Sequence, residues 1–157
     1  LLALIALQFR RYPDSQVYIF DKGFSARAAV LAMGGAHHAL GLGGEDEGEG
    51  GKAIAFQPLR HIGRADERAW AAEWIGALLA HEKVLVTPEV KESVWSALTS
   101  LASAPPQERT LTGLSVLLQS NALKSALLTY TLEGPFGRLL DAAEDSLALA
   151  DLQGVET

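Results

Sequence analysis

Apolar and polar positions in the first third of the chain predict a helix, a strand and a second helix. Residues 1–12 are good helix formers, and their first turns are apolar on nearly all sides, which is typical of a helix buried against a sheet. Residues 16–21 read QVYIFD, a short apolar run that predicts a buried strand. Residues 24–33 have helical propensity, with Ser25 as an N-cap. This order is typical of a layered α/β fold.

The rest of the chain is predicted to be mostly helical. A long helix capped by Asp66 should extend to about residue 83, and a second should begin at the pair Thr87-Pro88. The runs RTLTGLSVLLQS and NALKSALLTY predict two shorter helices. Further strands are predicted in the first half of the run HHALGLGGEDEGEGGK, in the run AIAFQPL and near the last residues. We therefore expect an α/β portion over 1–63, a helical insertion over 64–131 and a return toward the sheet over 132–157.

Composition narrows the range of functions. The 157 residues are 48% apolar, carry a net charge of −6 and include no cysteine. An acidic chain without a dense Lys/Arg run is not expected to have a surface that serves mainly to bind nucleic acid, and no direct nucleic-acid site is evident. Without cysteine there are no disulfides, thiolate metal sites or cysteine nucleophiles. The apolar run of the first helix is shorter than the roughly 20 residues of a transmembrane helix.

The glycine-rich stretch at residues 43–52 resembles a phosphate-binding loop only superficially. The Gly-Lys pair of the pattern G-x-x-x-x-G-K-[ST] is present as Gly51-Lys52. However, Asp46 stands at the first glycine position and Ala53 at the Ser/Thr position. The dinucleotide pattern G-x-G-x-x-G also fails, because its last position is again Asp46. The stretch is acidic as well, which would repel phosphate. We interpret it as a surface loop.

Two other pairs have structural interpretations. His37 and His38 are adjacent, so on a strand they point to opposite sides and rarely share one ion, and we assign no metal ligands. Trp70 and Trp74 are four residues apart on a predicted helix, which favours a stripe of the core. A base-stacking platform would need a basic surround, whereas acidic residues flank this pair.

The pair Asp21 and Lys22 is the strongest candidate for chemistry. It follows the predicted apolar strand directly, and ligands of open parallel sheets bind at the carboxyl ends of the strands. A solvated strand end is the alternative interpretation, and residue spacing alone does not separate the two. A nucleotide could be held here in a dinucleotide-binding unit or in a P-loop motor.

Several stretches together resemble one protein family, the TrbE-like conjugative-transfer ATPases of type IV secretion, within the CagE/TrbE/VirB group. In chain order they are VYIFDKGFSARAAVLAMGG, AFQPLRHI, ERAWAAEWIGALLAHEKVLVTPEVKESV, RTLTGLSVLLQS and YTLEGPFGRLLDAAEDSL. They cover most of the chain. The resemblance implies the central portion of the C-terminal motor domain, a partial RecA-like P-loop NTPase sheet with a mostly helical insertion.

The resemblance also implies a function. The parent would be an ATP-hydrolysing motor that uses ATP and Mg²⁺ to energise conjugative DNA transfer, secretion or pilus assembly. It would form a homo-oligomer, a hexamer, in the cytoplasm at the inner membrane, beside the channel proteins. The P-loop is expected before Leu1 and the Walker B strand after the last residues, so the segment alone is expected to be inactive and to bind neither cofactor tightly.

Within that family resemblance, Asp21 and Lys22 match the turn at the strand end and are the candidate catalytic residues. Arg60, at the end of FQPLR, is a weaker candidate for a residue that reaches a neighbouring subunit's nucleotide. Two alternatives from other classes stay open. One is a segment of a dinucleotide-binding oxidoreductase, with Asp21 on a ribose. The other is a non-catalytic helical interaction module built on residues 64–131.

Overall fold

The computed structural model of the chain describes residues 2–22, 25–39, 54–146 and 152–156. These fall into two units, which we describe separately. The sheet unit comprises Leu1–Ile54 together with Ser146–Thr157, and the helical unit comprises Ala55–Asp145. The glycine-rich stretch at residues 43–52 lies outside the described residues, so its interpretation as a surface loop stays a prediction.

The sheet unit is organised around three parallel strands. The strands are β1 (Val17–Asp21), β2 (Ala36–Ala39) and β3 (Leu152–Glu156). Their order is β1-β3-β2, so the strand that comes last in the chain lies between the other two. Two helices belong to the same unit, α1 (Leu2–Phe9) and α2 (Arg27–Ala32). The strands predicted at HHAL and near the last residues are confirmed. The RecA-like assignment of this sheet stays a proposal.

The first helix and strand are more exposed than their composition predicts. Along β1, half-buried residues alternate with exposed ones, and Phe20 is 76% exposed. In α1 the side chains of Leu4, Leu7 and Phe9 are each about half exposed, whereas Ala6 is buried. The prediction of a helix buried against the sheet is therefore wrong for the described residues. The sequence pattern identified the apolar surfaces but could not show what covers them.

Helices make up most of the helical unit. The helices are α3 (Ala65–His81), α4 (Pro88–Leu101), α5 (Leu111–Leu117), α6 (Asn121–Leu127) and α7 (Gly137–Leu140). Single 3-10 turns lie at Pro106–Glu108 and Leu128–Tyr130. No helix in the described ranges combines the length and apolar character that crossing a bilayer requires.

Capping residues explain where two of these helices begin. The Thr87 hydroxyl accepts the backbone N–H of Val90 at 3.4 Å, and Pro88 occupies the first turn, as the sequence predicts. The Thr110 hydroxyl accepts the N–H of Gly113 at 3.1 Å and starts α5. The prediction that Asp66 caps α3 is wrong, because Arg64 is the N-cap residue and Asp66 lies inside the first turn.

The core of the helical unit follows the helical period. Ala71, Ile75 and Leu79 are spaced four apart on α3 and are fully buried. The buried residues that complete this core come from the segment before α3 and from the later helices: Leu59, Ile62, Val94, Ala97, Leu98, Leu101, Leu111, Leu114, Leu118, Leu123, Leu127 and Tyr130. Packing of these amphipathic faces is what stabilises helices this short.

The described part of the run AIAFQPL, residues 54–59, is not a strand, which corrects the sequence prediction. Phe56 donates its N–H to the Leu139 carbonyl at 2.7 Å and accepts the N–H of Ala142 at 3.1 Å. Gln57 donates its N–H to the Asp145 carboxylate at 2.7 Å, and Pro58 has no N–H to donate. The segment therefore joins the two ends of the helical unit. For this reason the helical unit spans Ala55–Asp145. The sequence analysis instead predicted a helical insertion over 64–131, with flanking portions over 1–63 and 132–157.

Candidate functional site

The carboxyl ends of the three strands lie level with one another. Asp21 is the register partner of Glu156, and Glu156 is in turn the partner of Ala39. All three residues are the last of their strands. Because open parallel sheets bind their ligands at this edge, Asp21 occupies the position that the sequence analysis predicted for it.

The Asp21 carboxylate is fixed by groups just before α2. Its Oδ2 accepts the Ser25 hydroxyl at 2.7 Å and the Ala26 backbone N–H, also at 2.7 Å. The hydrogen bond from Ser25 is the largest cause of a lowered pKa for Asp21, and the bond from Ala26 adds to it. The site therefore holds an ionised, oriented carboxylate. The predicted N-cap role of Ser25 is wrong: the N-cap residue is Ala26, and the Ser25 hydroxyl binds Asp21.

Lys22 follows β1 directly and is exposed. No ion pair joins the described side chains of Asp21 and Lys22, and the Asp21 carboxylate accepts hydrogen bonds from Ser25 and Ala26. The two charges thus stay separately available at the edge of the sheet. A lysine there could neutralise an anionic ligand, whereas the carboxylate could accept a proton or bind a hydrated cation.

Arg60 belongs to the helical unit, whereas Asp21 and Lys22 belong to the sheet unit. Its guanidinium donates to the side-chain oxygen of Gln57 at 3.1 Å, and its carbonyl accepts Nη1 of Arg109 at 3.0 Å. These contacts hold Arg60 within its own unit. Its suggested role toward a neighbouring subunit stays a prediction.

Gln57 and Asp141 are buried polar residues that the sequence analysis missed. Gln57 is 3% exposed, and its amide donates to the carbonyls of Pro106 and Arg109. Asp141 is 2% exposed and accepts four hydrogen bonds from Thr112 and Leu132. Both organise the helical unit. The run FQPLR, in which Gln57 lies between apolar residues, could have indicated that Gln57 is buried. Nothing in the local sequence indicates that Asp141 is buried.

His37 and His38 lie on β2, and both are buried. Burial is the largest cause of a lowered pKa for His38, and the neighbouring His37 adds to it, so the imidazole of His38 tends to be neutral. Within the described part of the chain, no group of three or more His, Asp or Glu could hold a metal ion. The pair is accounted for by its place in the strand.

A cleft of about 690 Å³ opens on the helical unit, and we call it the aromatic cleft. Its apolar walls are Phe56, Pro58, Trp70, Trp74 and Leu140. The indole rings of Trp70 and Trp74 are stacked with centroids 5.7 Å apart and planes within 5°. Trp74 packs against the core, but Trp70 is 49% exposed, so the predicted core role is wrong for Trp70.

Polar residues complete the aromatic cleft, and three of them are acidic. They are Gln57, Asp66, Glu67 and Asp145. No lysine, arginine or histidine lines the cleft within the described residues. The sequence analysis noted acidic residues around the tryptophans, but it could not show that Asp145, far along the chain, lies on the same cleft.

Comparison with known proteins identifies the chain's relatives. No protein-family model matches it. Two curated proteins align with 99% of the chain: a probable conjugal transfer protein TrbE of Sinorhizobium fredii strain NBRC 101917 / NGR234, at 45% identity, and the conjugal transfer protein TrbE of Rhizobium radiobacter, at 41%. The chain spans only 23% and 19% of these two proteins, about a fifth of their length.

The chain is therefore homologous to a segment of conjugal transfer proteins. More specifically, it is a TrbE-like sequence, and the resemblance predicted from its five stretches is confirmed.

Proposed function

We propose that this chain forms the central portion of an ATP-hydrolysing motor that energises conjugative DNA transfer, type IV secretion or pilus assembly. The observation that carries the proposal is Asp21, an ionised and oriented carboxylate at the carboxyl edge of a parallel sheet. Homology to TrbE proteins supports a role in conjugal transfer. In this proposal the three strands belong to a RecA-like P-loop NTPase sheet, and the helical unit is its insertion.

The described residues do not make a nucleotide site by themselves. They include no cluster of carboxylates and imidazoles that could hold a metal ion, and the chain contains no match to G-x-x-x-x-G-K-[ST]. Phosphoryl transfer needs a phosphate cradle and bound magnesium. We therefore assign the binding of ATP and Mg²⁺ to the longer protein.

The proposed contributions of this segment are limited to three side chains. Asp21 and Lys22 would form one edge of the nucleotide site, and Arg60 would face the nucleotide of a neighbouring subunit. The last role requires Arg60 to exchange its bond to Gln57 for one to a phosphate, which a subunit interface could bring about. A hexamer in the cytoplasm, at the inner membrane and beside channel proteins, completes the proposal.

The first experiment compares ATP turnover by two proteins. One is the isolated chain. The other is the Rhizobium radiobacter protein with this chain in place of its matching segment. We expect phosphate release from the second protein only, because the isolated chain lacks a recognisable phosphate loop. Sustained turnover by the isolated chain, after contaminant controls, would contradict the proposal.

Two substitutions in the longer protein then test the site. Asp21→Asn and Lys22→Ala should each lower ATP turnover by about 100-fold, the usual cost of removing a charged group near a developing phosphoryl charge. Glu144→Gln and Lys91→Ala change the same kinds of charge at exposed positions of the helical unit and should leave turnover unchanged. If Asp21→Asn and Lys22→Ala turn over at the parent rate, the pair is only a surface turn. If activity falls only in step with the unfolding midpoint, its role is structural.

A further inference from the structure

We propose that the aromatic cleft binds a basic peptide segment of a protein partner, with an Arg or Lys side chain placed between Trp70 and Glu67. This inference does not depend on the proposed ATPase activity, because all residues of the cleft belong to the helical unit. It rests on the ring geometry, the charge of the lining and the volume of the cleft.

The tryptophan pair offers a firm aromatic surface to a cation. Trp74 packs against the core and Trp70 stacks on it, with ring planes within 5° of parallel. Trp70 nevertheless remains 49% exposed. Indole is the ring that attracts cations most strongly through its face, and a guanidinium can also stack on it. Elsewhere in the same unit this interaction already occurs, since the Arg68 guanidinium lies 5.6 Å from the ring centroid of Trp95.

The charge of the lining selects a cation over an anion. Asp66 is neutralised by an ion pair with Arg64 at 2.5 Å, but Asp145 accepts the uncharged N–H of Gln57 and has no ion pair with a described residue. Glu67 is half-buried on the cleft and has no hydrogen bond or ion pair within the part of the chain that the structure describes. The charge of Arg64 lies close enough to interact with that of Glu67, but it makes no direct bond to the Glu67 carboxylate, so an incoming guanidinium or ammonium can still bind there.

The volume and chemistry of the cleft suit a short stretch of peptide. About 690 Å³ is in the range of clefts that hold drug-sized ligands, which is room for one or two side chains of a peptide. Its mixture of apolar wall and few polar groups would hold the stem of an Arg or Lys side chain along Pro58 and Trp70 while the charged end meets Glu67. Nucleic acid is disfavoured, because its phosphates would face three carboxylates and no basic side chain lines the cleft within the described residues.

The test follows the indole N–H signals of the three tryptophans by NMR in the ¹⁵N-labelled chain. The probes are an acetylated and amidated hexapeptide Gly-Ser-Arg-Arg-Ser-Gly and the same peptide with citrulline, a neutral isostere, in place of both arginines. The arginine peptide should shift the signals of Trp70 and Trp74 saturably and leave Trp95, which lies outside the cleft, unchanged. The citrulline peptide should bind with an affinity at least roughly fivefold lower than that of the arginine peptide.

Matched variants locate the interaction. Glu67→Gln should weaken binding of the arginine peptide by roughly three- to fivefold, whereas Glu73→Gln, the same change at an exposed position of α3 outside the cleft, should not. Trp70→Leu should weaken it by at least as much as Glu67→Gln. Thermal unfolding of each variant shows whether the fold is kept, and Glu67→Gln breaks no direct hydrogen bond or ion pair of the described residues, so it should fold normally.

Three results would overturn the proposal. If the citrulline peptide bound with the same affinity as the arginine peptide, the cleft would not discriminate between charged and neutral side chains. Shifts of the Trp70 signal with oligothymidine but not with the arginine peptide would assign the cleft to nucleic acid. Shifts that depend only on protein concentration would show that a second copy of the chain covers it.

Discussion

The buried carboxylate of Asp141 accepts both the backbone N–H and the hydroxyl of Thr112. The distances are 3.0 Å from the N–H to Oδ1 and 2.5 Å from the hydroxyl to Oδ2. Oδ2 also accepts the N–H of Leu132 at 2.9 Å. One side chain thus ties the start of α5 to the segment that follows the 3-10 turn at Leu128–Tyr130.

We expect Asp141→Asn to lower the free energy of unfolding by about 2–3 kcal/mol. Asparagine keeps one acceptor oxygen, and its NH₂ group would face N–H donors that then lose their partner in a buried place. Urea unfolding followed by circular dichroism measures the change. Glu144→Gln, an exposed carboxylate nearby in the chain, should stay within about 0.5 kcal/mol. A loss for Asp141→Asn as small as that of the control would mean that the hydrogen bonds do not contribute.

Tyr130 should make the protein less stable in alkali. Burial raises the pKa of Tyr130 to about 12, and the hydrogen bond to the Glu82 carboxylate at 2.8 Å adds to the rise. The unfolded chain then loses the phenol proton near pH 10 and the folded chain near pH 12. Stability that is fully present below about pH 10 is therefore lost as the pH rises from 10 through 12.

The measurement is the free energy of unfolding between pH 8 and 11, together with phenolate absorbance at alkaline pH. Tyr130→Phe should flatten the alkaline loss of stability and remove the phenolate component that appears latest. Tyr12→Phe removes an exposed tyrosine and should leave that component in place. If both variants keep the same late component, the Tyr130 phenol is not held neutral by its surroundings.

Gly137 should not tolerate a side chain. A Cβ there would overlap the backbone carbonyl of Thr131, which cannot move aside as a flexible side chain would. We expect Gly137→Ala to destabilise the chain by at least about 2–3 kcal/mol, as overpacked sites do.

The matched control is Gly76→Ala in the middle of α3. Its Cβ would lie 3.9 Å from Val86 Cγ1, an ordinary contact, so the higher helix propensity of alanine should stabilise by about 0.5–1 kcal/mol. Urea midpoints of the two variants should therefore move in opposite directions. If Gly137→Ala left the midpoint unchanged or raised it, the close approach at Gly137 would be relaxed.

Local sequence signals predicted the helical unit well. Thr87 and Pro88 determine where α4 begins through contacts between residues that are neighbours in the chain. The spacing of apolar residues in α3 predicts which of its residues are buried. The strand predicted at AIAFQPL failed for the opposite reason. Its backbone partners are Leu139, Ala142 and Asp145, more than 80 residues away, and local propensity contains no information about them.

The candidate site shows the same division. The end of an apolar strand was enough to predict the position of Asp21, because that rule depends on the strand alone. The role of Ser25 was predicted wrongly, since a serine before a helix can cap it or bind a nearby carboxylate, and only the folded turn decides. The aromatic cleft needed Asp145 and Trp70 to be brought together, which no spacing in the sequence reveals.

The position of β3 has a consequence for synthesis on the ribosome. Because β3 lies between β1 and β2, neither of those two strands has a partner among the described strands until Leu152–Glu156 has been made. The entire helical unit, Ala55–Asp145, emerges before that moment and can bury its core first. While more than 100 residues are being synthesised, the edges of β1 and β2 that will pair with β3 therefore remain unpaired. Unpaired strand edges of this kind can pair with another chain.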